Sequence, residues 1–280
     1  MIDFQLFRIK VFPHRQANLF EPNEPAEILR KTIESLPSVE LRRNIFWHVG
    51  NLETLDNAGV YLRLGRTSRT KLELYQQGNF RDEEFETSPY THVILDIPHE
   101  ICAIAKKTKL AQSVTGIARQ FSRLLNKSEM GEQLQAQFVI DQINDPEAFL
   151  SYIRSAYKVT NFWFSYSRPN SFDANELFIK PMSRMLDESD GELGKAELRG
   201  KELNTDALEN ITRSVASTGN DASASMVLEE GSGKIKKHLK GNPVVIKQED
   251  VDDTEEKKGL LGILREKYLA IRGQIDHEQN

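Results

Sequence analysis

Two runs of strand-forming residues, His92-Val93-Ile94-Leu95-Asp96-Ile97 and Ile101-Cys102-Ala103-Ile104-Ala105, stand on either side of Pro98-His99-Glu100. An apolar run, a turn and a second apolar run predict a β-hairpin. A lone hairpin is barely stable in water, so the rest of the chain has to supply a sheet. Residues 2–12 are rich in strand formers and stop at Pro13. Residues 60–64 and 71–75 flank Gly65-Arg66-Thr67-Ser68-Arg69, which predicts another hairpin, and a polar loop follows from Gly78 to Ser88. Residues 134–140 alternate as a strand, and 159–166 form an aromatic strand ended by Arg168-Pro169-Asn170.

Helices are interleaved with these strands. Residues 25–36 open on a proline, carry Glu27 in the first turn and precede Pro37. Residues 111–125 repeat apolar side chains at i, i+3, i+4 and i+7 despite Gly116. Asp145-Pro146 reads as an N-cap followed by the first helical position. Strand, helix, strand over 134–166 predicts a split βαβ unit, and the chain as a whole reads as α+β, with a mixed or antiparallel sheet and amphipathic helices. The expected organisation is an N-terminal domain over 1–169 and a smaller α+β domain over 171–248. The latter would hold helices 176–187 and 205–217 and strands 195–200, 222–228 and 244–247. An acidic linker then leads to an amphipathic helix over 254–277, whose Leu260, Leu261, Leu264 and Tyr268 share a face that Ile271 and Ile275 extend.

Composition excludes several classes. The single cysteine, Cys102, rules out an intrachain disulfide or a cysteine-based zinc site and reads as a packing residue in an apolar run. No apolar stretch reaches the ~20 residues of a membrane span, and the first residues lack the basic and apolar regions of a signal peptide. These features lead us to expect a cytoplasmic protein with no membrane partner. The net charge of −5 removes a whole-chain basic signature, so polyanion binding would have to come from local patches.

Motifs of catalysis are missing. No H-E-x-x-H, G-x-S-x-G or nucleotide-binding glycine loop occurs, and Gly231-Ser232-Gly233-Lys234 is too short for a phosphate loop. The nearest acid/base constellation is His92 and His99 around Asp96, which polar residues at a hairpin mouth explain equally well. A metal-dependent nuclease would pair Asp187 or Asp190 with Glu197, but Arg199 stands where lysine is expected. No cofactor or metal is expected, and the chain reads as non-enzymatic.

Charge layout says more. No acidic residue lies between Asp56 and Glu73, where Arg63, Arg66, Arg69 and Lys71 cluster, nor between Glu100 and Glu129, where Lys106, Lys107, Lys109, Arg119, Arg123 and Lys127 fall. A third cluster comprises Lys234, Lys236, Lys237 and Lys240. Carboxylate-free stretches offer positive potential that phosphate attracts, and Thr67, Ser68, Thr70, Thr108 and Ser113 could add hydrogen bonds. A solvated basic face is the alternative. Phe162, Trp163, Phe164 and Tyr166 are either a base-stacking platform or, for at least one face, core.

The element order carries a resemblance. Strand, helix and hairpin, then Thr91-His-Val-Ile-Leu-Asp-Ile-Pro-His-Glu-Ile-Cys-Ala-Ile-Ala, a basic helix, strand-helix-strand and Gly194-Lys-Ala-Glu-Leu-Arg-Gly-Lys before a further helix resemble an uncharacterised family of bacterial proteins encoded near mobile elements and anti-phage genes. More distantly, in layout, the chain is similar to the exclusion sensors of lambdoid phages. The resemblance implies an α+β protein that dimerises, binds DNA through basic surface and acts in phage exclusion. The first expectation is therefore a nucleic-acid-binding sensor or regulator that takes DNA in preference to RNA, through Arg63, Arg66, Arg69, Lys71, Lys106, Lys107, Lys109, Arg119 and Arg123. The alternatives are a metal-dependent nuclease effector, or an interaction subunit that docks a second copy or a co-encoded protein through the C-terminal helix.

Overall fold

The computed structural model describes residues 1–13, 24–167, 179–189 and 191–273. The chain is α+β and forms two compact units. The first comprises Met1–Phe4, Ile9–Ile140 and Gln248–Lys258; the second comprises Gln5–Arg8, Asp141–Lys247 and Gly259–Asn280, the last seven of these lying outside the described residues.

The first unit is built on a sheet ordered β1(Ile2–Pro13), β7(Ile101–Ala105), β6(Tyr90–Asp96), β4(Gly59–Gln76), β3(Ile45–Thr54), β2(Ser38–Arg42), with β5(Asn79–Thr87) paired to β4 and β8(Ala136–Gln142) to β1. The hairpin expected at 92–105 is present: β6 and β7 are antiparallel, with Val93 opposite Ile104 and Asp96 opposite Ile101. Helix α1(Pro25–Glu34) starts at its proline, and α3(Glu129–Gln133) is a short turn of helix. Helix α2(Val114–Asn126) packs on β2, β3 and β7. Ser113 caps it by accepting from the Gly116 N–H at 3.0 Å, and its stripe of Val114, Ile117, Phe121, Leu124 and Leu125 is buried.

The expected hairpin turn at 65–69 is corrected. Residues 59–76 form one continuous strand, and the supposed loop 78–88 is largely β5. The chain reverses instead at Gln77-Gly78, both at positive φ (+50° and +85°), the backbone that a two-residue hairpin turn of the primed type requires and that glycine supplies cheaply. Gly65 serves close approach rather than a turn: a Cβ there would lie 3.1 Å from the Pro89 carbonyl oxygen and 3.2 Å from Tyr90 Cβ. The split βαβ unit is also corrected, because β8 and β9(Lys158–Ser167) belong to different sheets.

The second unit holds an antiparallel sheet ordered β10(Leu193–Arg199), β9, β11(Ala222–Val227), β12(Lys234–His238). Strand alternation buries Phe162, Phe164 and Tyr166 on one face, against which α5(Ile179–Glu188) and α6(Thr205–Ser217) pack. Gly194 sits opposite Tyr166, where a Cβ would come within 2.3 Å of the phenol ring. Helix α4(Glu147–Ser155) opens with the Asp145 carboxylate accepting from the Glu147 N–H at 2.9 Å. Strand β12, which the lysine-rich sequence hid, is an edge strand whose lysines discourage further pairing. Residues 5–8 join this unit near β13(Val245–Gln248): the Leu6 N–H donates to the Val244 carbonyl at 3.1 Å. From α7(Thr254–Arg272), Leu260, Leu261, Leu264, Tyr268 and Ile271 are buried, and Arg8 donates to the Tyr268 hydroxyl at 2.6 Å. Ile275 lies outside the described residues. Among the described residues, no helix is long and apolar enough to cross a membrane.

Candidate nucleic-acid interface

Strand β4 sorts the basic residues by parity. Val60, Leu62 and Leu64 are buried, and alternation carries their face on to Arg66 and Ser68, while Arg63, Thr67, Arg69 and Lys71 lie on the other. Arg66 and Ser68 therefore continue the core-facing side of the strand just past the core. There they line a cavity of about 480 Å³ with Thr87, Ser88, Pro89, Tyr90, Lys107 and Lys109. Lys107 and Lys109 come from the exposed segment that follows β7. Arg66 is held in place by donating from Nη2 to the Lys109 carbonyl at 3.0 Å. Its Nε is buried with no partner among the described residues. An unmet buried donor costs about 1–3 kcal/mol.

The other expected cations are dispersed. On the opposite face of β4, Arg63 lies 4.5 Å above the Tyr90 ring and donates to the Tyr61 hydroxyl at 3.2 Å, a hydrogen bond that raises its pKa. Arg69 and Lys71 lie across the ladder from Glu86 and Glu84, and Lys71 is 3.8 Å from the Glu84 carboxylate. Lys106 is exposed at the end of β7. On α2, Arg119 is exposed, whereas Arg123 donates to the Leu41 carbonyl and to Gln120, each at 3.2 Å. Of the nine, the fold brings Arg66, Lys107 and Lys109 together at one cavity.

Sequence reasoning passed over Thr87 and Tyr90, because it took 78–88 as a loop and began the next strand at His92. The Gln77-Gly78 pair was the available signal for a turn. It also missed a polar chain on the outer face. Ser38 Oγ lies 2.8 Å from His48 Nδ1, His48 Nε2 lies 3.0 Å from Thr67 Oγ1, and Thr67 lies 3.0 Å from Ser88 Oγ. Burial pushes the His48 pKa down, against a smaller upward pull from Glu86.

The acid/base candidates separate. His99 Nδ1 sits 2.8 Å from Asp96, whereas His92 Nδ1 bonds the Tyr61 hydroxyl at 2.8 Å and is shifted downward, first by burial and then by Arg63. Glu197 is hydrogen-bonded by Arg199 at 2.8 Å, which lowers its pKa. The Asp187 side chain and Asp190 lie outside the described residues. Elsewhere in the second unit, Glu209 is pulled down to about 2 chiefly by a hydrogen bond from Arg154. Arg213 adds a contact to Glu147 at 2.7 Å, which makes this network a clamp between α4 and α6. In the third basic cluster, Lys237 lies 4.0 Å over the Tyr152 ring and Lys240 is 3.3 Å from Asp221.

Compared with protein-family models and with curated proteins, the chain matches none.

Proposed function

We propose that this chain is a nucleic-acid-binding sensor or regulator, taking DNA in preference to RNA, in the phage-exclusion or mobile-element setting that the sequence resemblance implies. The observation that carries the reading is the convergence of Arg66, Lys107 and Lys109 with the Ser68 and Thr87 hydroxyls on one cavity. Cations and hydroxyls gathered at one cavity, with a guanidinium oriented by the Lys109 carbonyl, are the groups that fix a phosphate. Gel-shift titration with single- and double-stranded DNA at two salt concentrations tests it. Binding that weakens steeply with salt is the expected result; no binding at low salt would refute the reading.

A second reading, an interaction subunit that docks another copy or a co-encoded protein, is favoured by the β4–β5 ribbon. Leu72, Tyr75, Phe80 and Phe85 are exposed on it, and apolar surface of this kind commonly marks a protein contact. The C-terminal stripe considered for that role is covered within its own chain. A stable co-purifying protein, or a dimer in light scattering that Phe80→Ser disrupts, would favour it.

A further inference from the structure

We infer that the cavity is an end-recognition site: it takes the phosphate monoester of a terminal nucleotide and lays that nucleotide's base against Phe85. This deepens the nucleic-acid reading and rests on it.

The first argument is the shape of the positive charge. A protein that tracks along a strand needs a continuous line of cations, one for each successive phosphodiester. Here the uncompensated charge is a point. Arg66, Lys107 and Lys109 meet at the cavity, while further along the same face of the ribbon come Phe85, Glu83 opposite Leu72 and Arg81 opposite Leu74, and Arg81 lies 2.7 Å from Glu83. A strand continuing that way would meet an aromatic ring and then a cation already matched by a carboxylate. A phosphodiester carries a single negative charge, whereas a monoester approaches two at neutral pH and offers three acceptor oxygens. A focused set of cations and hydroxyls suits the monoester.

The second argument is what lies beside the cavity. The register pairs Ser68 with Thr87 and residue 70 with Phe85, so Phe85 follows Thr87 on the same face, about 7 Å along the strand. Phe85 is 38% exposed. A ring at that distance from a phosphate site is placed for the base of the same nucleotide, and an aromatic face accepts any base. Glu83, next on that face, is paired with Arg81 at 2.7 Å, so no uncompensated cation awaits a second phosphate there, which again favours a single terminal nucleotide.

Fluorescence anisotropy on the full chain tests this. The probes are a 3′-labelled single-stranded oligonucleotide with a 5′-phosphate, the same oligonucleotide with a 5′-hydroxyl, and adenosine monophosphate as competitor. The 5′-phosphate should tighten binding by about tenfold or more. Lys107→Ala with Lys109→Ala, both exposed and safe for folding, should erase that preference, and Phe85→Ala should weaken the phosphorylated probe several-fold. Arg81→Ala, a ribbon cation away from the cavity, should keep the preference. Equal affinity for the two oligonucleotides would overturn the inference and leave the nucleic-acid reading standing. Adenosine monophosphate should displace the phosphorylated probe. If adenosine monophosphate binds in direct titration and neither oligonucleotide does, end recognition and the nucleic-acid reading both fall and a free nucleotide is the ligand. If none of the probes binds, both fall.

Discussion

The two halves of β4 each carry two leucines and two cations, and they meet opposite fates. Residues 59–68 pair with β3 on one side and, as far as Gly65, with β6 on the other, with Leu62 and Leu64 fully buried. Residues 69–76 pair only with β5 and leave Leu72 at 46% and Tyr75 at 65% exposure. The cations are Arg63 and Arg66 in the inner half and Arg69 and Lys71 in the outer. In the inner half the strand ends its buried run at Arg66, which is locked to a neighbouring carbonyl beside two lysines. In the outer half the ladder sets each cation against a glutamate. A basic stretch is therefore potent or neutral according to its cross-strand partners, which lie ten or more residues away in sequence.

The sharpest way to break this comparison is to empty each half of a leucine. Leu64→Ala should cost about 2–5 kcal/mol in chemical denaturation, whereas Leu72→Ala should stay within about 1 kcal/mol. Equal losses would mean that the outer half is covered in solution and that the contrast is false.

Next in size is ligand affinity. Arg66→Ala should weaken DNA binding about tenfold or more, because a charged hydrogen bond to phosphate is lost, and should flatten the salt slope by about one unit. Lys71→Ala should change affinity by no more than about twofold, since its charge is already met by Glu84. A larger effect from Lys71 would extend the interface onto the ribbon.

A pH series sharpens the contrast further. His48 and His92 both stand beside the inner half, opposite Gly65 and Arg63, and burial holds both below the ordinary value of 6.5. The fold therefore favours their neutral forms. Their contribution is complete above pH 6.5 and is lost as the pH falls below it, when the unfolded chain takes up protons more readily. Thermal midpoints should drop between pH 7.5 and 5.5, and His48→Gln with His92→Gln should flatten that drop. An unchanged slope in the double variant would remove histidine as its cause.

The smallest effect belongs to the ribbon tip. Tyr75 and Phe80 pack ring to ring at 4.9 Å, and Phe80 is 82% exposed. Phe80→Ser should cost at most about 1 kcal/mol in denaturation. A larger cost would show that the tip packs against something in solution.

Local signals carried much of the architecture. The Pro98-containing turn between apolar runs, the Ser113-capped stripe of α2, the Asp145-Pro146 helix start and the alternation of Phe162, Phe164 and Tyr166 could all be read in sequence, because each is decided by residues a few positions apart. The α+β class followed from them. Strand β3 was passed over although its Ile45-Phe46-Trp47-His48-Val49 run was legible. Strands β2, β5 and β12 could not be read in this way. They are polar or charged and are held by ladder hydrogen bonds to distant partners rather than by an apolar period of their own. The same limit governed the candidate site. Sequence could show that the stretches around Arg66 and Lys107 lack carboxylates. It could not show that β5 sets Glu86 and Glu84 against Arg69 and Lys71, nor that strand parity splits Arg63 from Arg66. Charge acts through space, over a distance of a few ångströms, and only the tertiary pairing decides which charges are that close.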